Sequence, residues 1–567
     1  MTEFRNLCEA LEARASSDHG ITFLDGSGIV DSWTYGELGR IARRQAGAWR
    51  ELGVQPGDRV GLLGSTTPGF VAAIFGAWYA GAVAVPLAVP MRLTSPEALV
   101  EEVRSRAEKG RLKALAMDPR FDLIEGLRDI VSPTASWDEL TERETEVEPV
   151  DPDPDDPALI QFTSGSTARP KGVVLTHRCL ILNARSGSKQ VDFTRDDVAV
   201  SWLPLFHDFG LIGMTLWPML GDFKTYLIPP EVFISSPKVW VQAMSEFRGT
   251  VTAAPNFAYG LITRVLRNAS EPYDLSSMQI MANGAEPVDA HTLADLAEAG
   301  ERHGLDPGAL LPVYGLAEAT LGVAAPRPGQ MRPPRWVDSE RLAHDGVAVE
   351  VEPGTPGARP LVSVGGPIPD VQIEIRDEEG NRLPDGHVGE VCVHSNAIMA
   401  GYFEDPEETA KVLQDGWIRT GDLGLIGPDG LVITGRIKDM IIVGGRNLYP
   451  EDAERVAASV PGVRRGNAVA FGTLGRAREG LVVVAETRLE GEDAVGLAKQ
   501  VASEVRRAMQ IAADHVVLLR PGSLPKTPSG KLQRRLTRGL YEAGQLIQQA
   551  VGSAGRTLTQ QPDTSTV

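Results

Sequence analysis

The chain has 567 residues, too many for one hydrophobic core, so about three to four packing units are expected. Its 56 basic and 75 acidic residues leave a formal charge of −19, which argues against a general nucleic-acid binder. Cys8, Cys179 and Cys392 show neither paired nor metal-like spacing, which fits a reducing compartment. The N-terminus lacks the basic and apolar regions of a signal peptide, so the expectation is a cytoplasmic protein.

Residues 1 to about 150 alternate helix-like and strand-like patterns. Tyr35–Leu52 reads as an amphipathic helix, Arg59–Leu63 as a short buried strand and Gly69–Tyr79 as a second helix. Such alternation favours a mainly parallel sheet covered by helices. The apolar stretch near Val71–Val89 is broken by Gly76, Gly81 and Pro86, so it reads as a buried helix and strand, not as a membrane span. Asp151–Pro157 is a stiff acidic connector that lacks the glycine and distal glutamate of a calcium loop. Beyond about residue 360, Val371–Asp377 alternates with period two and Val388–Val393 follows as a pairing strand, the pattern of a small antiparallel barrel or meander. In the last unit Met440–Val443 is a strand, and Pro450 opens a helix whose first turn carries Glu451, Asp452 and Glu454. The polar tail from about Thr557 reads as disordered.

Five segments carry chemistry. Phe162-Thr-Ser-Gly-Ser-Thr-Ala-Arg-Pro-Lys-Gly172 packs hydroxyls, glycines and two cations between two apolar runs, as suits a loop between strands that wraps a polyphosphate. Asn283-Gly-Ala-Glu-Pro287 is a small-residue turn against which a flat ring could lie. Val313-Tyr-Gly-Leu-Ala-Glu-Ala-Thr320 offers an aromatic face, a close-approach glycine and a carboxylate. Trp417–Leu423 presents Asp422, able to accept two hydroxyl protons, and Pro525–Gln533 places Lys531 on a glycine-bearing loop. Singly each has a plain alternative: a polar turn, a packing Tyr-Gly, a solvated lysine. Their joint occurrence in this order is what carries weight.

In that order, and over nearly the whole chain, the set resembles the adenylate-forming superfamily of acyl-CoA synthetases, luciferases and peptide-synthetase adenylation domains. Within it the chain is most similar to the fatty-acyl-AMP ligases, through Trp202–Ile212, Ala254–Tyr259, the Asn-Gly-Ala-Glu-Pro turn and Tyr314–Leu321, with Pro326–Leu361 as extra sequence. The resemblance implies an α/β fold. A large N-terminal domain, residues 1–436, would hold two helix-covered sheets plus a small distorted β-barrel. A small mobile α+β domain, 437–550, would carry the catalytic lysine, and 551–567 would be a disordered tail. Two departures touch fine phosphate contacts: Ala168 stands where most of the superfamily has glycine, and Ala317 where many relatives have threonine.

It also implies roles. Thr163, Ser164, Gly165, Ser166, Thr167 and Lys171 would hold the β- and γ-phosphates of ATP, and Glu318 would hold Mg²⁺. Tyr314 would stack on adenine, beside Gly315 and Ala319, with Gly284, Ala285 and Glu286 completing the base pocket. Asp422, assisted by Arg436, would grip the ribose hydroxyls. Lys531 would bridge the reacting carboxylate and the α-phosphate, His207 would sit at the mouth of the acyl site, and Lys438 would be the hinge. Phe206, Ile212, Met214, Trp217, Phe257 and Met281 lie near motifs that line the acyl tunnel in relatives, though apolar residues of this kind serve equally as core. The implied substrate is a medium- to long-chain fatty acid, and the implied partner a separate acyl carrier protein acting in trans. The alternatives are a fatty acyl-CoA synthetase and, from another class, a non-catalytic nucleotide-binding scaffold.

Overall fold

A computed structural model describes residues 3–89, 95–143, 145–163, 170–443, 446–474, 479–527 and 530–555. The chain packs as two compact units. The first comprises the residues up to Arg332 together with Val364–Ile373 and Cys392–Arg419; the second comprises Pro333–Ser363, Glu374–Val391 and the residues from Thr420 on.

The first unit is built on two seven-stranded sheets. One runs in the order Leu310–Pro312, Ile280–Asn283, Val251–Ala254, Val198–Ser201, Lys224–Leu227, Gly20–Leu24, Ile29–Thr34. Its strands are parallel except for the antiparallel Ile29–Thr34 edge. The other runs Gly401–Tyr402, Lys171–Thr176, Pro157–Thr163, Val83–Leu87, Arg59–Leu63, Ala114–Met117, Thr134–Ser136. There the first two pairings are antiparallel and the rest parallel.

Strands buried on both faces must be apolar throughout, and every residue of Val83–Leu87 and Ala114–Met117 is buried. The helix Pro68–Tyr79 is apolar all round, with every residue from Phe70 to Tyr79 buried. A helix of that kind needs neighbours on all sides. It shares one core with Phe23 and Leu227 of the first sheet and with Val60, Leu62 and Ala84 of the second. The expected helix and strand near Val71–Val89 are therefore both present, and among the described residues no helix is long and apolar enough to cross a membrane. The amphipathic helix spans Tyr35–Glu51. Thr34 and Glu37 close its start reciprocally, each side chain accepting from the other's backbone N–H.

The second unit holds a four-stranded sheet in the order Val463–Leu474, Glu479–Thr487, Ala513–Leu519, Gly552–Gly555. The first three of its strands alternate. Ala470, Val483 and Leu518 face the helices Pro450–Ser459 and Gly491–Met509, while Phe471, Val484 and Val517 face Tyr541 and Leu546. Pro450 occupies the first helical position, as expected. Strands Arg335–Asp338 and Ala358–Leu361 pair antiparallel, so much of the 326–361 segment lies in this unit. One boundary needs correcting. Gly552–Gly555, grouped above with a disordered 551–567 tail, forms an edge strand antiparallel to Ala513–Leu519. Its residues are small because the backbone passes close to helix Gly491–Met509, and a Cβ on Gly552 would stand 2.5 Å from the Ala494 carbonyl carbon.

Candidate active site

Ligands of open parallel sheets bind beyond the carboxyl ends of the strands, and several singled-out segments lie there. Asn283–Pro287 follows strand Ile280–Asn283, and Tyr314 follows Leu310–Pro312 two residues on. Val313 N–H donates to the Asn283 carbonyl at 2.8 Å, which brings the two segments side by side. Gly284 sits so close to Val313 that a Cβ would lie 2.9 Å from its carbonyl oxygen, and a Cβ on Gly315 would lie 2.0 Å from that of Leu321. Both positions require glycine. Ala285 adopts φ +68°, a left-handed turn conformation. Glu286 accepts from Phe257 N–H at 2.9 Å, while Asn283 and Asn256 join side chains at 2.7 Å. The Glu286 carboxylate is thus engaged by the neighbouring helix start.

The loop after Tyr314 is held under strain. Thr320 has φ +70° and ψ −58°, and Leu321 N–H donates to the Ala319 carbonyl at 2.8 Å. This is a γ-turn of the rare positive-φ hand, adopted by a β-branched residue that ordinarily avoids it. Strain of that order, about 1–3 kcal/mol, persists where the surroundings over-determine the backbone. Thr320 Oγ1 donates to the Ala397 carbonyl at 2.6 Å, and Met399 N–H to the Glu318 carbonyl at 2.9 Å. Buried Asn183 donates to the carbonyls of Ala319 (3.2 Å) and Gly322 (3.0 Å) and accepts from Gly322 N–H at 3.0 Å.

The result is a fixed Glu318. Its Oε1 accepts a 2.8 Å hydrogen bond from the Tyr402 hydroxyl. Lys171 Nζ lies 4.6 Å above the Tyr402 ring and pairs with Glu408 Oε2 at 2.6 Å. Lys171, at the C-terminal end of the Phe162–Gly172 segment, and the Tyr314–Thr320 segment therefore meet across one tyrosine. Burial, and then the Glu318 charge, push the Tyr402 hydroxyl well above its ordinary pKa. The hydrogen bond from Lys171, followed by that from Lys411, holds the Glu408 carboxyl down at about 2. Thr163 ends strand Pro157–Thr163 opposite Lys171, whereas Ser164, Gly165, Ser166 and Thr167 lie outside the described residues.

His207 pairs through Nδ1 with Asp208 at 2.5 Å, and the carbonyl of neighbouring Phe206 accepts from the Gln161 amide. A π-helical segment, Phe209–Leu216, follows, a geometry frequent at functional sites. The apolar candidates divide. Phe206, Phe257 and Trp217 are half-buried, Phe257 packing edge-on to Trp202 at 5.9 Å. Met214 and Met281 are buried, and Ile212 packs in the inter-sheet core with Leu211 and Leu216.

In the second unit Asp422 stands opposite Arg436 in the antiparallel register, and Arg436 Nε contacts Asp422 Oδ1 at 2.8 Å. Asp422 is 4 % exposed. Lys438 is exposed on the one-turn helix Ile437–Asp439. Lys531 lies on a tight loop: Thr527 N–H donates to the Lys531 carbonyl at 2.7 Å, Lys531 N–H to Thr527 Oγ1 at 3.0 Å, and Gly530 takes φ +88°.

Sequence reasoning missed Tyr402 and Glu408. Asp405-Pro406-Glu-Glu408 does mark a helix start. Nothing local reveals that Gly401–Tyr402 pairs with Val173 and Val174, far upstream.

Comparison with known proteins agrees with this construction. Residues 11–403 match the AMP-binding enzyme family. A putative acyl-CoA synthetase of Caulobacter vibrioides is 33% identical over 96% of each chain. The medium-chain-fatty-acid–[acyl-carrier-protein] ligase JamA of Moorena producens is likewise 33% identical over 96% of each. A solved structure from a study of fatty acyl-adenylate ligases of E. coli and L. pneumophila superposes with a TM-score of 0.89 at 33% identity, covering 96% of this chain and 98% of the other. The chain therefore belongs to the AMP-binding enzyme family, on the branch of the fatty-acyl-AMP ligases.

Proposed function

We propose that the chain condenses a medium- or long-chain fatty acid with ATP to an acyl-adenylate, releasing pyrophosphate, and passes the acyl group to the phosphopantetheine thiol of a separate acyl carrier protein. The observation that carries the adenylation half is the Lys171–Tyr402–Glu318 constellation, which joins the phosphate-loop strand to the carboxylate-bearing loop. The relatives named as fatty-acid ligases support the substrate class.

The chemistry asks for charge neutralisation. A carboxylate oxygen attacks the α-phosphorus, pyrophosphate leaves, and two anions must first be brought together. Residues 163–171 take the β- and γ-phosphates, with Lys171 supplying positive charge. Tyr314, Gly315 and Ala319 with Gly284, Ala285 and Glu286 take adenine. Asp422 accepts from the ribose hydroxyls beside Arg436. Lys531 stabilises charge on the carboxylate and α-phosphate as the bond forms, and His207 orients the incoming carboxylate. Phe206, Met214, Phe257 and Met281 line the acyl chain's path, an apolar tunnel gaining about 0.8 kcal/mol per buried CH₂; Ile212 supports it from the core. Glu318 suits Mg²⁺, which is commonly held by one or two carboxylates together with substrate phosphates and would offset triphosphate charge there. In this reading 437–550 is the mobile domain that delivers Lys531, turning at Lys438.

ATP–pyrophosphate exchange across acids of increasing chain length tests the substrate. The expected rate rises to a medium or long chain, and a preference for amino acids or small aromatic acids would refute it. A second reading, fatty acyl-CoA synthesis, is favoured by the Caulobacter relative's name. Thioester formation with CoA as fast as with carrier protein would select it.

A further inference from the structure

The Lys531 loop is clamped at both ends by buried charge. On the entering side, fully buried Glu486 pairs with Arg464 and accepts from Gly522 N–H at 2.7 Å and Leu524 N–H at 3.0 Å. On the leaving side, Arg534 opens helix Arg534–Glu542 and faces three carboxylates from two other elements. Its guanidinium reaches Asp439 Oδ2 at 2.5 Å on the Ile437–Asp439 turn. It also reaches Glu451 Oε1 at 3.2 Å and Glu454 Oε1 at 2.9 Å on helix Pro450–Ser459. Glu454 Oε1 further accepts from Ala470 N–H of the four-stranded sheet at 2.9 Å. The Arg534 side chain is only 19% exposed, and Asp439, Glu451 and Glu454 are as sheltered.

Three acids around one cation are more than charge balance alone requires. Burial, partly offset by the guanidinium, lifts the Glu454 carboxyl to about 7. Arginine suits such a site because its planar fork holds several oxygens at fixed angles, where a lysine would offer one mobile point charge. The arrangement is therefore directional. It ties the turn bearing Lys438, the Pro450 helix and the residue three positions after Lys531 into one piece.

We propose that Arg534 is the positioning residue for Lys531: by bonding to Asp439, Glu451 and Glu454 it fixes the place at which the loop presents the lysine ammonium, and it makes the Lys438 turn and that loop move as one body. This inference rests on Lys531 being the catalytic lysine of the proposed reaction. A loop attached to its hinge turn through a rigid fork keeps its geometry while the whole body rotates. A loop attached only by its ends would lose it.

The test uses the full-length protein and fatty-acid-dependent ATP–pyrophosphate exchange. Asp439→Asn, which spares the Glu451 and Glu454 contacts, is expected to lower kcat about tenfold with the KM for ATP within about twofold, because misplacement by about 1 Å can cost up to about a hundredfold. Arg534→Met should lower it further, and Arg534→Lys should recover only part. Should Arg534→Met fail to fold, Asp439→Asn and Arg534→Lys carry the same comparison. Each change is repeated on Lys531→Ala, where positioning has nothing left to position, so no additional loss is expected. Equal losses with and without Lys531, full recovery in Arg534→Lys, or an unchanged kcat in Asp439→Asn would each overturn the proposal. A Lys531→Ala enzyme as fast as wild type would instead overturn the underlying reading of Lys531.

Discussion

Replacing Tyr402 by phenylalanine deletes one oxygen and leaves the ring in place. The oxygen donates 2.8 Å to Glu318, and the ring lies 4.6 Å beneath Lys171. A hydrogen bond to a charged partner is worth roughly 1.5–3 kcal/mol. Glu318 is only half-buried, so water can re-solvate it in the ground state and folding stability should change by less than about 1 kcal/mol. Under the proposed function the loss falls instead on the orientation of Glu318 in the transition state. At about 1.4 kcal/mol per tenfold, kcat for pyrophosphate exchange should drop about 10- to 100-fold. Tyr402→Leu removes the ring as well. The cation–π contribution, about 0.5–2 kcal/mol, should then appear as a further rise of about two- to thirtyfold in the KM for ATP, because in the proposed function Lys171 takes the ATP phosphates. Steady-state exchange kinetics on the two variants separate these effects. Wild-type kcat in Tyr402→Phe, or identical KM values for the two variants, would refute the coupling of Lys171 and Glu318 through this tyrosine.

Asn183→Ala strands two carbonyls and one N–H in the interior, each costing roughly 1–3 kcal/mol, so a loss of about 3 kcal/mol or more is expected in denaturant titration; a loss below about 1 kcal/mol would mean that the Thr320 turn stands without it. Glu408 titrates in the folded protein at about 2, below its ordinary 4.5, so its contribution is complete above about pH 4.5 and is lost as the pH falls toward 2. Because its side chain is 30% exposed, no more than about 1 kcal/mol is expected. The Tm gap between wild type and Glu408→Gln should thus close on acidification, and a gap constant with pH would contradict the pairing with Lys171. Acyl transfer to a phosphopantetheinylated carrier protein should exceed transfer to CoA at least about tenfold, as read by mass spectrometry of the products.

Much of this architecture is visible in local sequence because local forces set it. The all-apolar helix Pro68–Tyr79, the apolar runs flanking the glycine- and hydroxyl-rich Phe162–Gly172 segment and Pro450 at a helix start follow from patterning and backbone chemistry alone. Gly315 was legible as a close-approach glycine, and a Cβ there would indeed meet the Leu321 carbonyl. What stayed hidden depends on contacts between distant residues. Gly401–Tyr402 is too short to read as a strand until it pairs with Val173 and Val174. Thr320 opposes its own preference; Ala397 holds it directly, and Asn183 holds its neighbours Ala319 and Gly322. The Gly552–Gly555 strand has almost no side chains to show a pattern, and its pairing with Ala513–Leu519 is main-chain only.

The most direct measurement is the detection of the intermediate itself. The full-length protein, incubated with ATP and a long-chain fatty acid and quenched within one turnover, should yield acyl-adenylate and an equal amount of pyrophosphate. Lys531→Ala should yield both at least about a hundredfold more slowly, with a residual rate that can still be measured. Pyrophosphate release that does not depend on the fatty acid, or undiminished adenylate from Lys531→Ala, would contradict the account.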